Sequence, residues 1–137
     1  MIDSPWADFS RFLKNALGEG LRPELQDVND FFAADAVFEF PFAPPGYPTR
    51  LEGREAIRAH LAQLPGQIVI HRFDPPTVHR TQEAGVVILE YAVRGQAVAS
   101  GRSYNQRYLN VITLRDGTIA HFRDYWNPQI VLEALQA

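Results

Sequence analysis

The sequence predicts an α+β fold in which a curved, largely antiparallel sheet packs against helices that precede it in the chain. Apolar residues recur at helical spacing over most of the N-terminal half and at alternate positions from residue 67 onward. Helices first and strands afterwards are typical of a sheet with segregated helices. With 137 residues and no internal repeat, the chain has the length of one domain, so we expect a single domain over residues 1–137.

Three helices are predicted, all in the N-terminal half. The first follows a candidate N-cap at Asp3 or Ser4 and ends near residues 18–20. The second covers about residues 23–35, and the third ends at the Pro-Gly pair of residues 65–66. Their inward-facing apolar residues are, in chain order, Trp6, Phe9, Leu13, Ala16 and Leu17; Leu25, Val28, Phe31 and Phe32; and Ile57, Leu61 and Leu64.

Strands are predicted where apolar residues alternate. Residues 36–42 read AVFEFPF, so Phe38, Phe40 and Phe42 share one face and form a wall of rings. Residues 43–53 are too rich in Pro and Gly for regular structure and are predicted to form a loop over the mouth of a site. The remaining predicted strands are residues 68–73, 77–81, 86–93, 103–114 and 118–126, with residues 115–117 as a tight hairpin turn between the last two.

The last two strands present polar and aromatic side chains on one face. In the final strand this face carries Phe122, Asp124 and Trp126. If it turns inward, the Asp124 carboxyl lies among rings, where burial disfavours the charged form and raises its pKa. An apolar pocket with a few polar groups and one perturbed acid is the default hypothesis for a functional site. In the preceding strand the residues that share one face are Tyr104, Gln106, Tyr108, Asn110 and Ile112.

Composition and spacing argue against several classes of function. The net charge is −3 and no Lys/Arg cluster is present, which argues against nucleic acid as a partner. No stretch approaches the roughly 18 apolar residues that span a bilayer, so we expect no membrane partner and a cytoplasmic location. There is no cysteine, the four histidines lack metal-ligand spacing, and neither a Gly-rich nucleotide loop nor a serine elbow occurs. We therefore expect no metal and no other cofactor.

Three stretches carry a resemblance to a known family: DAVFEFPF at 35–42, LEGREAI at 51–57, and YNQRYLNVITLRDGTIAHFRDYWNP at 104–128. With their element order, they resemble the nuclear transport factor 2-like fold. Within that fold they resemble the SnoaL-like polyketide cyclases, the ketosteroid isomerases and the phenazine biosynthesis A/B proteins. The resemblance covers nearly the whole chain. It implies a cone-shaped, mixed sheet wrapped around a pocket.

The resemblance also implies roles for single positions. Asp124 falls where SnoaL-like cyclases have their acid/base aspartate and where the phenazine proteins have a glutamate. The general base of the ketosteroid isomerases corresponds to Phe40, which cannot take a proton, and their protonated oxyanion-hole aspartate corresponds to Asn110. The histidine positions of the phenazine proteins are occupied by Arg107 and Asn110. The resemblance therefore excludes a standard steroid isomerase and weakens the phenazine-like interpretation.

Together these observations predict a small, cofactor-independent enzyme that moves a proton next to the carbonyl group of a hydrophobic small molecule, as an isomerase, cyclase or dehydratase does. Asp124 is the predicted proton shuttle, with Asn110 and Tyr104 or Tyr108 as hydrogen-bond donors to the developing oxyanion. The residues expected to bind the substrate are Trp126, Phe122, Phe40, Phe38, Tyr104 and Gln106.

Alternatives remain open. The same fold could serve as a non-catalytic module that sequesters a hydrophobic molecule or assembles with a protein; an Asp124 paired with Arg107 or Arg123 would favour that module. Glu90 is a second acid in an apolar strand, with a salt bridge on the outer face as the favoured interpretation, and His71 is a candidate second proton carrier. Apolar residues on both faces of the last strands also predict a homodimer through the outer sheet face.

Overall fold

The computed structural model describes residues 5–135 and confirms an α+β fold with three α-helices and one large, curved, mixed sheet. Short 3₁₀ turns cover residues 18–20, 28–30 and 64–66. The predicted N-cap at residues 3–4 lies outside the described residues. The helices and strands are α1 Ala7–Leu17, β1 Phe32–Glu39, β2 Arg50–Glu52, α2 Arg54–Gln63, β3 Ile68–Phe73, β4 Thr77–Arg80, β5 Val86–Ala97, β6 Ser103–Arg115, β7 Thr118–Trp126 and α3 Pro128–Leu135.

The sheet has seven strands. Six follow the order β2-β1-β7-β6-β5-β3, and β4 pairs with the first half of β5. The pair β1–β7 is parallel and all other pairs are antiparallel, so the sheet is mixed. The turn between β6 and β7 has positive φ at Asp116 (54°) and at Gly117 (78°), the geometry of the tight hairpin turns whose twist matches the strands. This predicted hairpin is confirmed.

The predicted second helix is wrong. Residues 28–30 form a 3₁₀ turn, and β1 begins at Phe32. The Asp27 carboxylate accepts the Asn29 backbone N–H at 2.9 Å, a local bond that competes with a helix. The carbonyl of Phe31 accepts the N–H of Ile119 at 2.7 Å, which commits this segment to pairing with β7. The apolar residues fit helical spacing, but sheet pairing determines the conformation.

Two other boundaries differ from the prediction. β1 ends at Glu39, ahead of Pro41, and the segment predicted as a loop contains β2, which pairs with β1. The third α-helix lies at the C-terminus, where residues 128–135 form α3 and bury Val131 and Ala134. The prediction of three helices in the N-terminal half is therefore corrected to two there and one after the sheet.

The hydrophobic core lies between the inner face of the sheet and the helices. Phe12 of α1 packs against Tyr91 of β5 with ring centroids 4.5 Å apart, and Ile57 of α2 is fully buried. α3 packs against β6 and β5. Among residues 5–135 no helix is both long enough and apolar enough to cross a bilayer.

Candidate active site

A cavity of about 530 Å³ opens between the inner face of the sheet and the three helices. Its volume lies within the range of small-molecule sites. Most of its wall is aromatic or aliphatic. Of the predicted site residues, those that line it are Phe38, Phe40, Tyr104, Tyr108, Phe122, Asp124 and Trp126.

Strand register brings these side chains together. In the pairing of β6 with β7, Tyr108 lies opposite Trp126, Asn110 opposite Asp124 and Ile112 opposite Phe122. Side chains at directly paired positions point to the same face of a sheet. The predicted inward face of both strands is therefore the face that borders the cavity.

Asp124 is the acid of this cavity. Its Oδ1 atom accepts a hydrogen bond from Asn110 Nδ2 at 2.7 Å. Burial raises the pKa of Asp124 to about 7, because the low-polarity surroundings disfavour the carboxylate, and the bond from Asn110 opposes part of this increase. Within residues 5–135 Asp124 forms no ion pair. The side chains of Arg107 and Arg123 point to the outer face of the sheet, because these residues alternate with the inward-facing ones. The arginine pairing that would favour a non-catalytic module is not formed among the residues described.

Asn110 connects Asp124 to Tyr91, which is not among the predicted site residues. Tyr91 Oη donates to Asn110 Oδ1 at 2.6 Å, and Asn110 Nδ2 donates to Asp124 at 2.7 Å. Asn110 is fully buried and is not among the lining residues. Its predicted role as oxyanion donor is therefore corrected, because the amide contacts the acid and does not face the cavity.

Tyr104 and Tyr108 do face the cavity. Their hydroxyl oxygens lie 2.8 Å apart, so one donates to the other. Burial raises the pKa of Tyr104 to about 12 and raises that of Tyr108 well above its ordinary value, so both remain protonated at neutral pH. A pair of protonated hydroxyls that share one bond keeps one O–H free to donate to a ligand.

Gln106 has a structural role. Its Nε2 donates to the carbonyl of Asn127 at 3.0 Å, and its Oε1 accepts the backbone N–H groups of Arg107 and Asn127, each at 3.0 Å. The side chain is fully buried and does not line the cavity. Its predicted contact with substrate is corrected: it ties β6 to the junction of β7 and α3.

The aromatic wall forms as predicted except at one end. Phe38 and Phe122 stack with ring centroids 4.5 Å apart and planes 9° from parallel. Phe40 packs against Trp126 at 6.3 Å. Phe42, predicted to continue the wall, is 58% exposed, because β1 ends before it.

A histidine of α2 also borders the cavity. His60 packs its ring 5.1 Å from Phe40, and burial lowers its pKa, so it is neutral at pH 7. His60 lies three residues after the inward-facing Ile57, and this spacing was the feature of the sequence that could have predicted its position on the inner face of the helix. The candidate His71 is exposed and lies outside the cavity lining, and Glu90 pairs with His79 at 2.6 Å on the outer face. In the described part of the chain, no three acidic or histidine side chains converge in a metal-binding arrangement.

The fold and site define an α+β protein with an acid-bearing apolar cavity. Residues 9–122 match the SnoaL-like domain family. The chain belongs to this family, and the predicted nuclear transport factor 2-like fold is confirmed. The matched stretch ends two residues before Asp124, so membership by itself says nothing about that acid.

Two sequence relatives and one solved structure are similar to most of this chain. The uncharacterised protein YesE of Bacillus subtilis is 39% identical over 122 residues, which are 89% of this chain and 83% of YesE. An uncharacterised PhzA/B-like protein of Pseudomonas aeruginosa is 42% identical over 106 residues, 77% of this chain and 74% of that protein. A crystal structure described as "Putative Isomerase from Bacillus subtilis" superimposes with a TM-score of 0.79 at 36% identity, over 96% of this chain and 95% of that one.

Proposed function

We propose that this protein is a small enzyme that moves a proton next to the carbonyl group of an apolar molecule, as in isomerisation, cyclisation or dehydration. The observation that carries the proposal is the Asp124 carboxyl, which borders the cavity with a pKa of about 7 and no cationic partner among the described residues. An acid whose pKa lies near the working pH can both accept and return a proton.

The lining of the cavity supports a substrate without negative charge. None of the 13 Lys and Arg residues, all of which lie within residues 5–135, is among the lining residues. His60 is neutral there because burial lowers its pKa. The charged lining residues are Asp124 and, at the exposed rim, Asp8, which pairs with Arg11. A buried carboxylate or phosphate would find no counter-ion in this cavity, and such burial is unfavourable.

The Tyr104–Tyr108 pair supports stabilisation of the negative charge that the proposed reaction develops on the carbonyl oxygen. When Asp124 removes a proton beside a carbonyl group, negative charge develops on the carbonyl oxygen. The free O–H of the Tyr104–Tyr108 pair is a donor that faces the cavity and is suited to stabilise that charge, a role predicted from the sequence for Asn110 together with one of these tyrosines. Trp126, Phe40 and Phe122 exclude water around the reacting atoms.

The test begins with a panel of neutral cyclic ketones and polyketide-like esters screened for turnover. Replacement of Asp124 by Asn should then lower kcat by about 10² to 10⁴-fold, the usual contribution of a general acid-base group. Glu90→Gln is the matched control, because this acid lies on the outer face of the sheet and should leave kcat unchanged. Undiminished turnover in Asp124→Asn would remove this residue from the proton transfer.

The outer face supports a second proposal, that two chains associate through it as a homodimer. Leu109, Val111 and Tyr125 are only partly buried there, and Phe42 packs edge-on against Tyr125 with centroids 5.2 Å apart. These apolar groups gain from being covered by another surface. Native mass spectrometry should give twice the mass of 15.5 kDa, and Leu109→Arg should give the single-chain mass. A single-chain mass for the wild type would contradict this proposal.

A further inference from the structure

We propose that Tyr91 is a positioning residue of this site: its hydroxyl sets the orientation of the Asn110 amide, and that amide holds the Asp124 carboxylate. This inference goes beyond the proposed function. Its consequence for reaction rate rests on that function, whereas its consequence for the titration of Asp124 does not.

The three side chains come from neighbouring strands β5, β6 and β7. Asn110 lies directly opposite Asp124 in one pairing and opposite Leu89 in the other, so Tyr91 is its diagonal neighbour. The distances along the chain of bonds are 2.6 Å and 2.7 Å. Both are in the range of strong hydrogen bonds.

The surroundings hold Tyr91 in place. Its ring packs 4.5 Å from Phe12 and 5.4 Å from Tyr108, so the hydroxyl has little freedom to move. Asn110 has no exposed surface, and therefore its amide finds its partners within the protein. The orientation of the amide depends on the two groups it contacts, Tyr91 on one side and Asp124 on the other.

Donor and acceptor rules link this orientation to the charge of Asp124. An ionised carboxylate only accepts, so it requires the NH₂ end of Asn110. In that orientation the amide oxygen faces Tyr91, whose O–H supplies the donor it needs. The reversed amide would present its oxygen to Asp124, which is favourable only when the acid carries a proton. A phenol hydroxyl can also accept a hydrogen bond, but it is a stronger donor than acceptor. Tyr91 therefore favours the orientation in which it donates to the amide oxygen and the NH₂ end stabilises the ionised acid.

Tyr91→Phe removes the hydroxyl and keeps the ring. The amide oxygen of Asn110 then loses its donor, the reversed orientation becomes competitive, and the ionised form of Asp124 loses stabilisation. We expect the pKa of Asp124 to rise by about 0.5 to 1, the equivalent of one net hydrogen bond. In a pH profile of kcat, the limb that reports ionisation of the base should shift to higher pH by the same number of pH units.

The experiment is a ¹³C NMR titration of the Asp124 carboxyl in four proteins: wild type, Tyr91→Phe, Asn110→Leu and the double variant. Asn110→Leu should raise the pKa of Asp124 by at least as much as Tyr91→Phe. In the double variant Tyr91→Phe should add no further increase, because its effect travels through Asn110. An unchanged pKa in Tyr91→Phe, or an equal increase with and without Asn110, would overturn the inference.

Tyr104→Phe is the control for this titration. It also removes a buried tyrosine hydroxyl that lines the cavity, but that hydroxyl bonds to Tyr108 and not to Asn110. The pKa of Asp124 should change by less than half as much as in Tyr91→Phe. Should Asn110→Leu fail to fold, Asn110→Ala completes the comparison. If the titrations behave as expected but no neutral carbonyl compound turns over, the positioning role stands and the proposed function fails.

Discussion

The two faces of β7 treat charged groups in opposite ways. On the outer face, His121 lies 2.5 Å from Glu39, and Glu39 lies 3.6 Å from Arg50. On the inner face, Asp124 has one neutral amide as its partner and a cavity in front of it. Since alternate residues of one strand supply both environments, the chemistry of an acid in this sheet depends on the face to which it points.

The difference has an energetic meaning. An exposed carboxylate beside a cation is solvated in the folded and unfolded states alike, so the pair contributes little to stability. A carboxylate on the inner face gives up water without gaining a counter-ion, so the folded state favours its protonated form. The protein accepts this cost at Asp124, and the function we propose supplies a reason, because a carboxyl group that titrates near neutral pH is suited to proton transfer.

The largest effect that tests the comparison comes from removing aromatic volume on each face. Phe122→Ala, at a side chain that is 1% exposed and stacked on Phe38, should lower the free energy of unfolding by about 3 to 5 kcal/mol. Phe42→Ala, at a side chain that is 58% exposed, should cost less than about 1 kcal/mol. Urea unfolding measures both. Equal losses would show that the inner face is not the core face.

The next effect depends on pH. Asp124 has a pKa of about 7 when folded, above about 3.9 in an unfolded chain. The folded state therefore binds the proton more tightly, and this contribution to stability is fully present below pH 4 and lost as pH rises to 7. Asp124→Asn has no such loss and should exceed the wild type in stability by about 2 to 4 kcal/mol at pH 8.

Urea unfolding of wild type and Asp124→Asn at pH 4.5 and pH 8 measures this difference. The difference in free energy of unfolding between the two proteins should be small at pH 4.5 and should reach its full size of about 2 to 4 kcal/mol at pH 8. Other titrating groups are common to both proteins and cancel in the comparison. A gap that does not change with pH would mean that Asp124 titrates as an exposed acid does.

A third effect separates a buried polar group with a structural role from one that serves the cavity. Gln106→Ala breaks bonds to backbone groups of Arg107 and Asn127 and should cost about 1 to 3 kcal/mol of stability. Ligand affinity should remain within about twofold, because the side chain does not line the cavity. A large loss of ligand affinity in a Gln106→Ala protein of normal stability would show that Gln106 contributes to ligand binding.

The smallest effect belongs to the outer face. Glu90 and His79 pair at 2.6 Å, and about half of each side chain is exposed. Glu90→Gln should change the free energy of unfolding by less than about 0.5 kcal/mol, because exposed pairs contribute little. Thermal unfolding in low and high salt checks this. A loss above 2 kcal/mol would place Glu90 in a buried environment and weaken the contrast between the faces.

The sequence predicted the parts of this protein that depend on local periodicity. Alternation in β6 and β7 placed Tyr108, Asp124 and Trp126 on one face. Their register depends on the Asp116–Gly117 turn together with an irregularity next to it, between Thr113 and Leu114, which shifts the pairing by one residue. Helical periodicity failed at residues 23–35, where pairing of the chain with β7 took precedence over the spacing of apolar residues. Sequence-distant strands form that pairing, so no local pattern reveals it.

By itself, the sequence determined that an acid lies among rings on one face of a curved sheet, because side-chain alternation in a strand is a local property. The tertiary structure decided which polar groups face the cavity. Asn110 and Gln106 turn to Asp124 and to the backbone, whereas Tyr104 and Tyr108 keep a hydroxyl toward the cavity. The hydrogen-bond partners of these side chains come from neighbouring strands and from Asn127, which lies between β7 and α3. Only the folded chain brings them within bonding distance.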